Sequence, residues 1–317
     1  MSERPKVLVL GGGPDAERDV SLAGLSRAAD ALRRAHFEVN EQVIDTPDGE
    51  QLAALEGDVI FPLLHGPWGE GGPLQDLLER DGRPYVGSGP RAARLAMDKV
   101  ATKVMAATLG IATPVCAVFD PTDTVCPIRP PVVVKPVREG SSFGVRICKT
   151  PDAWRSMHEA VVEELTRHPR RVYTIERFVK GRELTVGVID GRALPVVEIN
   201  PADGVYDYEA KYHRDDTTYT VAPELPASVG ELMQNQAGRL CDEMGVRHIA
   251  RVDFILDERR VPWLLEVNTM PGFTDHSLVP LAARREGTDF TQLCARLVEL
   301  AVRDRSRKSS EGGRDGA

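Results

Sequence analysis

The chain has 317 residues, 42% of them hydrophobic, which is enough for two or three domains with cores of their own. Its 40 basic and 48 acidic residues leave a net charge of −8, which weighs against nonspecific binding to nucleic acid or an anionic membrane as its main task. The five cysteines are odd in number, scattered and free of CxxC or metal-ligand spacing, no leader-like stretch precedes the first strand pattern, and no apolar run approaches membrane-spanning length, so a cytoplasmic protein with reduced thiols is expected.

The apolar runs KVLVL and VIFPLL read as buried strands, with a helical pattern from Val20 to about Ala35 between them. That is βα alternation and predicts a parallel sheet. Gly11, Gly12 and Gly13 lie between the first strand and that helix, but the GxGxxG spacing of a dinucleotide site fails. The glycines would instead let a substrate approach the helix N-terminus, with Asp15 or Ser21 as caps. A break at residues 87–94, GSGPRAAR, separates this unit from a helical stretch, LAMDKVATKVMAATLG.

Next comes PPVVVKPVREGSSFGV, a β-branched run ending at Lys135 and opening into a turn at Glu139, Gly140, Ser141 and Ser142. An ammonium beside small residues whose backbone N–H groups can approach an anion suits a phosphate, although a solvated hairpin turn has the same composition. The order is not that of a Walker A loop. Residues 151–168 read as a helix and YTIERFV as a strand. Residues 199–226 lack sustained periodicity and predict a long functional loop, a lid. RVDFIL and WLLEVN read as two strands joined by a turn, which would bring Asp253, Glu266 and Asn268 to one face. Three oxygen donors there outline a Mg²⁺–nucleotide site or, equally, an ordinary charged hairpin. The last residues, RDRSRKSSEGGRDGA, are polar and read as disordered.

Taken in order, these stretches resemble the ATP-grasp ligases, and the remaining motifs narrow the match to the D-alanine:D-alanine ligase family. The resemblance spans residues 6 to about 300. It rests on Gly11-Gly12-Gly13 with Glu17, Leu64-His65-Gly66, Met97-Asp98-Lys99, Lys135-Pro136 and Arg138-Glu139-Gly140-Ser141-Ser142. It continues through Tyr208 to Tyr212, Arg251 with Asp253, Glu266-Val267-Asn268-Thr269, Pro271-Gly272 and His276 to Pro280. It implies an α/β fold, α+β in part, in three domains: a substrate-binding domain with a Rossmann-like parallel sheet at 1–93, a central ATP-grasp unit at 94–180, and a C-terminal catalytic unit with the lid at 181–302. Residues 303–317 would be the disordered tail. The nucleotide would lie between the central and C-terminal units.

The implied reaction is ATP-dependent joining of two D-alanine molecules through an acyl phosphate, for peptidoglycan synthesis. By resemblance, Asp253, Glu266 and Asn268 hold two Mg²⁺ ions, for which Mn²⁺ substitutes, with a monovalent cation as an optional addition. Lys99, Lys135 and Lys211 meet the phosphates; Glu176, Phe178, Val179 and Glu183 hold adenine and ribose. Arg251 and the Gly272 N–H form the oxyanion hole. Glu17 receives the ammonium of the first D-alanine, with His65 beside it, and Ser277 with the Leu278 N–H receives the carboxylate of the second. Ser141 and Tyr212 link the lid to Glu17. The expected assembly is a homodimer without nucleic-acid or membrane partners. Pro14, Asp19, Gly71, Asp76 and Met270 depart from the family pattern, the first four near the first subsite. Tyr212 favours an amine acceptor over D-lactate. The alternatives are a D-alanine:D-lactate or other ATP-grasp carboxylate–amine ligase, and a degenerate ATP-binding regulator.

Overall fold

The computed structural model describes residues 4–140, 143–201 and 217–312, with side chains up to residue 306. Ser141, Ser142, Lys211, Tyr212 and most of the expected lid lie outside the described residues.

The first unit runs β1 (Val7–Gly12), α1 (Arg18–Arg34), β2 (Val39–Ile44), α2 (Gly49–Ala53), β3 (Val59–Pro62), α3 (Gly66–Gly69) and α4 (Pro73–Asp81). Its three strands form a parallel sheet in the order β2-β1-β3. All six residues of β1 are buried, as a strand covered on both faces requires. β2 carries the polar pattern VNEQVI, and sequence reading passed it over because it sits at the sheet edge with most of its residues half-buried. Neither Asp15 nor Ser21 caps α1. Asp15 accepts the Trp68 N–H, and Ser21, inside the helix, accepts from Gly12 N and donates to the Leu63 carbonyl, stitching the ends of β1 and β3 together.

The stretch LAMDKVATKVMAATLG is two helices, α5 (Pro90–Met97) and α6 (Lys99–Thr108). Asp98 breaks them: its backbone is extended, and its carboxylate accepts the Val100 and Ala101 N–H groups as the N-cap of α6. The break sets Lys99 on the first turn of a new helix. Ala96, Ala106 and Ile111 pack with Leu184, Val252 and Leu264, so this pair, assigned from sequence to the central unit, shares its core with the large C-terminal sheet.

A small antiparallel sheet follows, from β4 (Cys116–Val118), β5 (Val132–Pro136), β6 (Arg146–Cys148) and β7 (Tyr173–Arg177) in the order β4-β7-β5-β6. α7 (Trp154–Arg167) covers it through Trp154 and Val161. The large sheet holds β8 (Gly181–Ile189), β9 (Arg192–Ala193), β10 (Val197–Asn200), β11 (Thr218–Val221), β12 (Ile249–Asp257) and β13 (Pro262–Asn268), ordered β11-β10-β8-β12-β13 with β9 on β8. The expected loop at 199–226 is therefore shorter: β10 runs to Asn200, and Thr218–Val221 pairs with it.

α8 (Ala227–Met244), α9 (Leu278–Arg285) and α10 (Phe290–Gly312) complete the chain. α10 corrects the expectation of a disordered tail from residue 303. The helix continues to Gly312, and Arg303 and Asp304 are engaged by Asp190 and His248. Leu293, Leu297 and Val298 join Val7, Val9 and Leu32 in one core, which fastens the C-terminal helix to the N-terminal unit.

Candidate active site

β12 and β13 carry the acids. Asp253 faces Glu266 across the ladder and Arg251 faces Asn268. Strict alternation along β13 would turn Glu266 to the same side as buried Leu264, away from Asp253. A bulge prevents this: Phe254 pairs with Leu264 and Asp253 with Glu266, so Leu265 is the extra residue, and Leu265 and Glu266 both open onto the cleft. Asp253 is held from several sides. Thr185 Oγ1 on β8 donates to it at 2.6 Å, Arg251 grips it with Nε at 2.9 Å and Nη2 at 2.8 Å, and Asn268 Nδ2 lies 3.1 Å away.

The cleft between the small and large sheets has a volume of about 520 Å³. Its polar end carries Lys99, which donates to the Glu139 carbonyl at 2.6 Å and pairs with Glu266 at 3.2 Å. Lys135 pairs with Glu176 Oε1 at 3.1 Å. Glu176, Phe178, Val179 and Glu183 line it, and Phe143, Ile147 and Ile255 add apolar surface. Such a cleft, apolar with a few convergent charges, suits a flat heteroaromatic base with a phosphate chain.

Sequence reading missed Lys103, a helix lysine that looks like a surface residue. It lies behind Glu176, outside the cleft wall, bound to Glu176 Oε2 at 3.1 Å, Thr113 Oγ1 at 2.7 Å and the Pro114 carbonyl at 3.1 Å. Burial lowers its pKa against the pull of Glu176. Burial alone would raise the Glu176 carboxyl, but the charges of Lys135 and Lys103 outweigh it and hold it below the usual range.

The second half of the site lies where the N-terminal unit meets the loop after β13. Glu17 stands at the N-terminus of α1, and a Cβ built on Gly140 would lie 2.9 Å from its Oε2. The central loop thus comes down directly on that carboxylate. Gly272 is close to Ser277, whose Oγ accepts the Thr274 N–H at 2.9 Å, and Ser277 leads into α9 with Leu278 as its first residue. His65 Nδ1 donates to the Met270 carbonyl at 3.0 Å, and Glu70 Oε2 accepts the Met270 N–H at 3.1 Å. Burial, then the nearby Glu17 charge, push the Glu70 carboxyl up to about 8, whereas burial pulls the His65 imidazole down.

Among the described residues no three or more of His, Cys, Asp and Glu gather as a metal cage. Two carboxylates and an amide do converge, and with the Asn268 amide turned about they offer only oxygen. That set fits a hard divalent cation sharing its shell with waters and phosphates.

Residues 122–299 match the family model described as D-ala D-ala ligase C-terminus. The D-alanine:D-alanine ligase of Dechloromonas aromatica is 43% identical over 96% of this chain and 100% of its own length. That of Syntrophotalea carbinolica is 41% identical over 93% and 96%. The crystal structure of the Bacillus anthracis D-alanine:D-alanine ligase complexed with ATP superposes with a TM-score of 0.81 at 30% identity, covering 97% of this chain and 100% of that one. The Coxiella burnetii enzyme shares the fold, with a TM-score of 0.79 at 23% identity.

Proposed function

The chain belongs to the D-alanine:D-alanine ligase family, joining two D-alanine molecules at the expense of ATP for peptidoglycan synthesis, and from that premise we propose how its own residues divide the work. The single observation that carries the assignment is the cross-strand facing of Asp253 and Glu266, with Asn268 beside them, at the end of the cleft where Lys99 and Lys135 converge.

ATP lies in the cleft with its base against Phe178 and Val179, within reach of Glu176 and Glu183, and its phosphates toward Lys99 and Lys135. Lys211 would complete the phosphate cations. Asp253, Glu266 and Asn268 are the residues to hold Mg²⁺, which when bound offsets phosphate charge and aligns the terminal phosphoryl group. Glu17 takes the ammonium of the first D-alanine, leaving that molecule's carboxylate to attack the γ-phosphorus as ADP departs. The acyl phosphate is then attacked by the amine of the second D-alanine, held by its carboxylate at Ser277 and the Leu278 N–H at the start of α9. One proton leaves the amine, inorganic phosphate leaves the carbonyl carbon, and the oxyanion formed on the way is met by Arg251 and the Gly272 N–H. Ser141 and Tyr212, linking the lid to Glu17, would couple its closure to occupancy and so exclude water while the acyl phosphate exists. The neutral phenol of Tyr212 favours an amine acceptor over D-lactate. The assembly is a homodimer, which sedimentation would test.

The decisive assay is ADP release on adding D-alanine to protein with ATP and Mg²⁺, with the product identified by mass. D-Alanyl-D-alanine is expected; nucleotide binding without D-alanine-dependent turnover would refute the reading, and a predominance of depsipeptide with excess D-lactate would refute the acceptor choice.

A further inference from the structure

We propose that Glu70 is a positioning residue for the oxyanion loop, acting with His65 to fix the backbone from which the Gly272 N–H is presented; the inference rests on the role of Gly272 given above. The two side chains flank a single helical turn, His65 at the N-cap and Glu70 at the C-cap of α3, so their spacing is set by local backbone geometry. Both reach across the joint between the N-terminal unit and the loop after β13, a separation of about two hundred residues in sequence, and both bind Met270. His65 Nδ1 donates to its carbonyl at 3.0 Å and Glu70 accepts its N–H at 3.1 Å. Met270, His65 and Glu70 are all buried, so no water competes for these groups.

Pro271 follows. Its ring fixes φ near −65°, so restraint at Met270 passes to Gly272 with little freedom left in between. An oxyanion donor is effective only when held where the charge will develop, and residual motion of a glycine N–H dissipates its contribution. The Met270 N–H and carbonyl are both held by side chains of the N-terminal unit. The oxyanion hole is therefore completed only when the N-terminal unit is seated, the unit that also brings Glu17 to the first D-alanine. One turn of helix thus ties the presence of the donor amino acid's site to the geometry that stabilises its activated carbonyl.

The role predicts a defect in capture more than in nucleotide binding. In Glu70→Ala the Met270 N–H loses its acceptor, the tetrahedral oxyanion is less well met, and the acyl phosphate waits longer for the amine and is lost to water. With ATP, Mg²⁺ and D-alanine, kcat for dipeptide should fall about 10- to 100-fold, the ratio of ADP to dipeptide should rise above unity, and the KM for ATP should stay within about twofold of the parent. Glu70→Gln keeps a neutral acceptor oxygen of the same reach and should restore most of the rate and a ratio near one. Pro271→Ala leaves both clamping side chains intact but loosens the link to Gly272. It should raise the same ratio, more mildly, and it decides the question should Glu70→Ala not fold. An unchanged ratio in both Glu70→Ala and Pro271→Ala, or equal losses in the Ala and Gln variants, would overturn the positioning role. Absence of D-alanine-dependent ADP release by the parent protein would overturn the ligase assignment of the site instead.

Discussion

In the nucleotide cleft, charge meets charge at short range: Glu176 lies between Lys135 and Lys103, and Glu266 beside Lys99, all on two sheets and one helix. At the amino-acid end the groups come from distant units, Glu17 and Glu70 from the N-terminal unit, Gly140 from the central loop, Arg251 and Met270 from the C-terminal one, and two buried titratable groups there meet backbone atoms. The difference teaches that one cleft can be two constructions. The first is preset by internal ion pairs and the second is assembled by docking of whole units, so damage to each should show up in a different substrate.

The largest separation is expected from Arg251→Ala, which removes the charged donor proposed for the oxyanion. Dipeptide kcat should fall about 10²- to 10³-fold, whereas ATP affinity, measured by calorimetry, should fall less, through loss of the Arg251 grip on Asp253, which Thr185 and Asn268 still hold. A comparable loss of ATP affinity would mean that the two ends are not separable. Lys103→Met tests the other construction. Glu176 would stay buried with one lysine instead of two, and breaking such a buried network costs about 3 kcal/mol of stability. Glu176 would also draw Lys135 from the phosphates, so the KM for ATP should rise about tenfold with the KM for D-alanine unchanged; a purely thermal defect at constant KM would show Lys103 to be structural only.

How much of this was legible in sequence follows the same division. The nucleotide end is written in local runs: a β-branched strand ending in Lys135, and two strands with acids in register, so the residues could be found without knowing how units dock. What escaped is non-local. Lys103 is one lysine among the polar residues of a helix until the strand carrying Glu176 closes over it. The bulge at Leu265 has no composition of its own, yet it decides that Glu266 faces Asp253. The split at Asp98 was hidden by an unbroken helical pattern, because the capping carboxylate lies inside it. Glu70 stood in plain view within GEGG, but its partner is the backbone of Met270, and a backbone partner leaves no sequence signal. The tail was misread because its polar composition gave no sign of Arg303 and Asp304 meeting Asp190 and His248.

Those last contacts offer a test of the docking itself. His248 Nδ1 accepts the Gly87 N–H at 2.9 Å and Nε2 donates to Asp304 at 3.2 Å, so a neutral ring joins the N-terminal unit, β12 and α10. Burial, then the Arg247 charge, lower its pKa to about 4, against 6.5 for an unperturbed ring. The folded state binds the proton less readily than the unfolded one, so the stabilisation is present above pH 6.5 and is lost as pH falls toward 4. Between pH 7 and 5 the loss should be about 2 kcal/mol by that linkage, with Asp304, itself lowered against burial by Arg303 and His248, adding in the same direction at lower pH. Denaturant unfolding across that range, compared with His248→Gln, would show it. An unchanged slope in the variant would remove His248 as the cause.

The smallest and most selective effect belongs to Gly140. A methyl group there would stand 2.9 Å from Glu17 Oε2 and 3.3 Å from Oε1, closer than a Cβ tolerates. The obstructed atoms are the end of a flexible side chain, so Glu17 can swing aside at little cost to the fold, and the thermal midpoint of Gly140→Ala should stay within a degree or two, since ~1 kcal/mol would move it by roughly 2–4 °C. What moves is the carboxylate proposed to receive the first ammonium. The KM for D-alanine should rise about tenfold, equivalent to ~1.4 kcal/mol, with the KM for ATP unaffected and kcat at saturating D-alanine largely kept. Glu17→Ala should remove that sensitivity: in its background Gly140→Ala has no carboxylate to displace, and the double-mutant cycle should show the two changes to be non-additive. Additive losses would mean that Gly140 acts through the loop that follows it and not through Glu17, which would detach the central unit from the amino-acid end and leave the N-terminal and C-terminal units alone to assemble it.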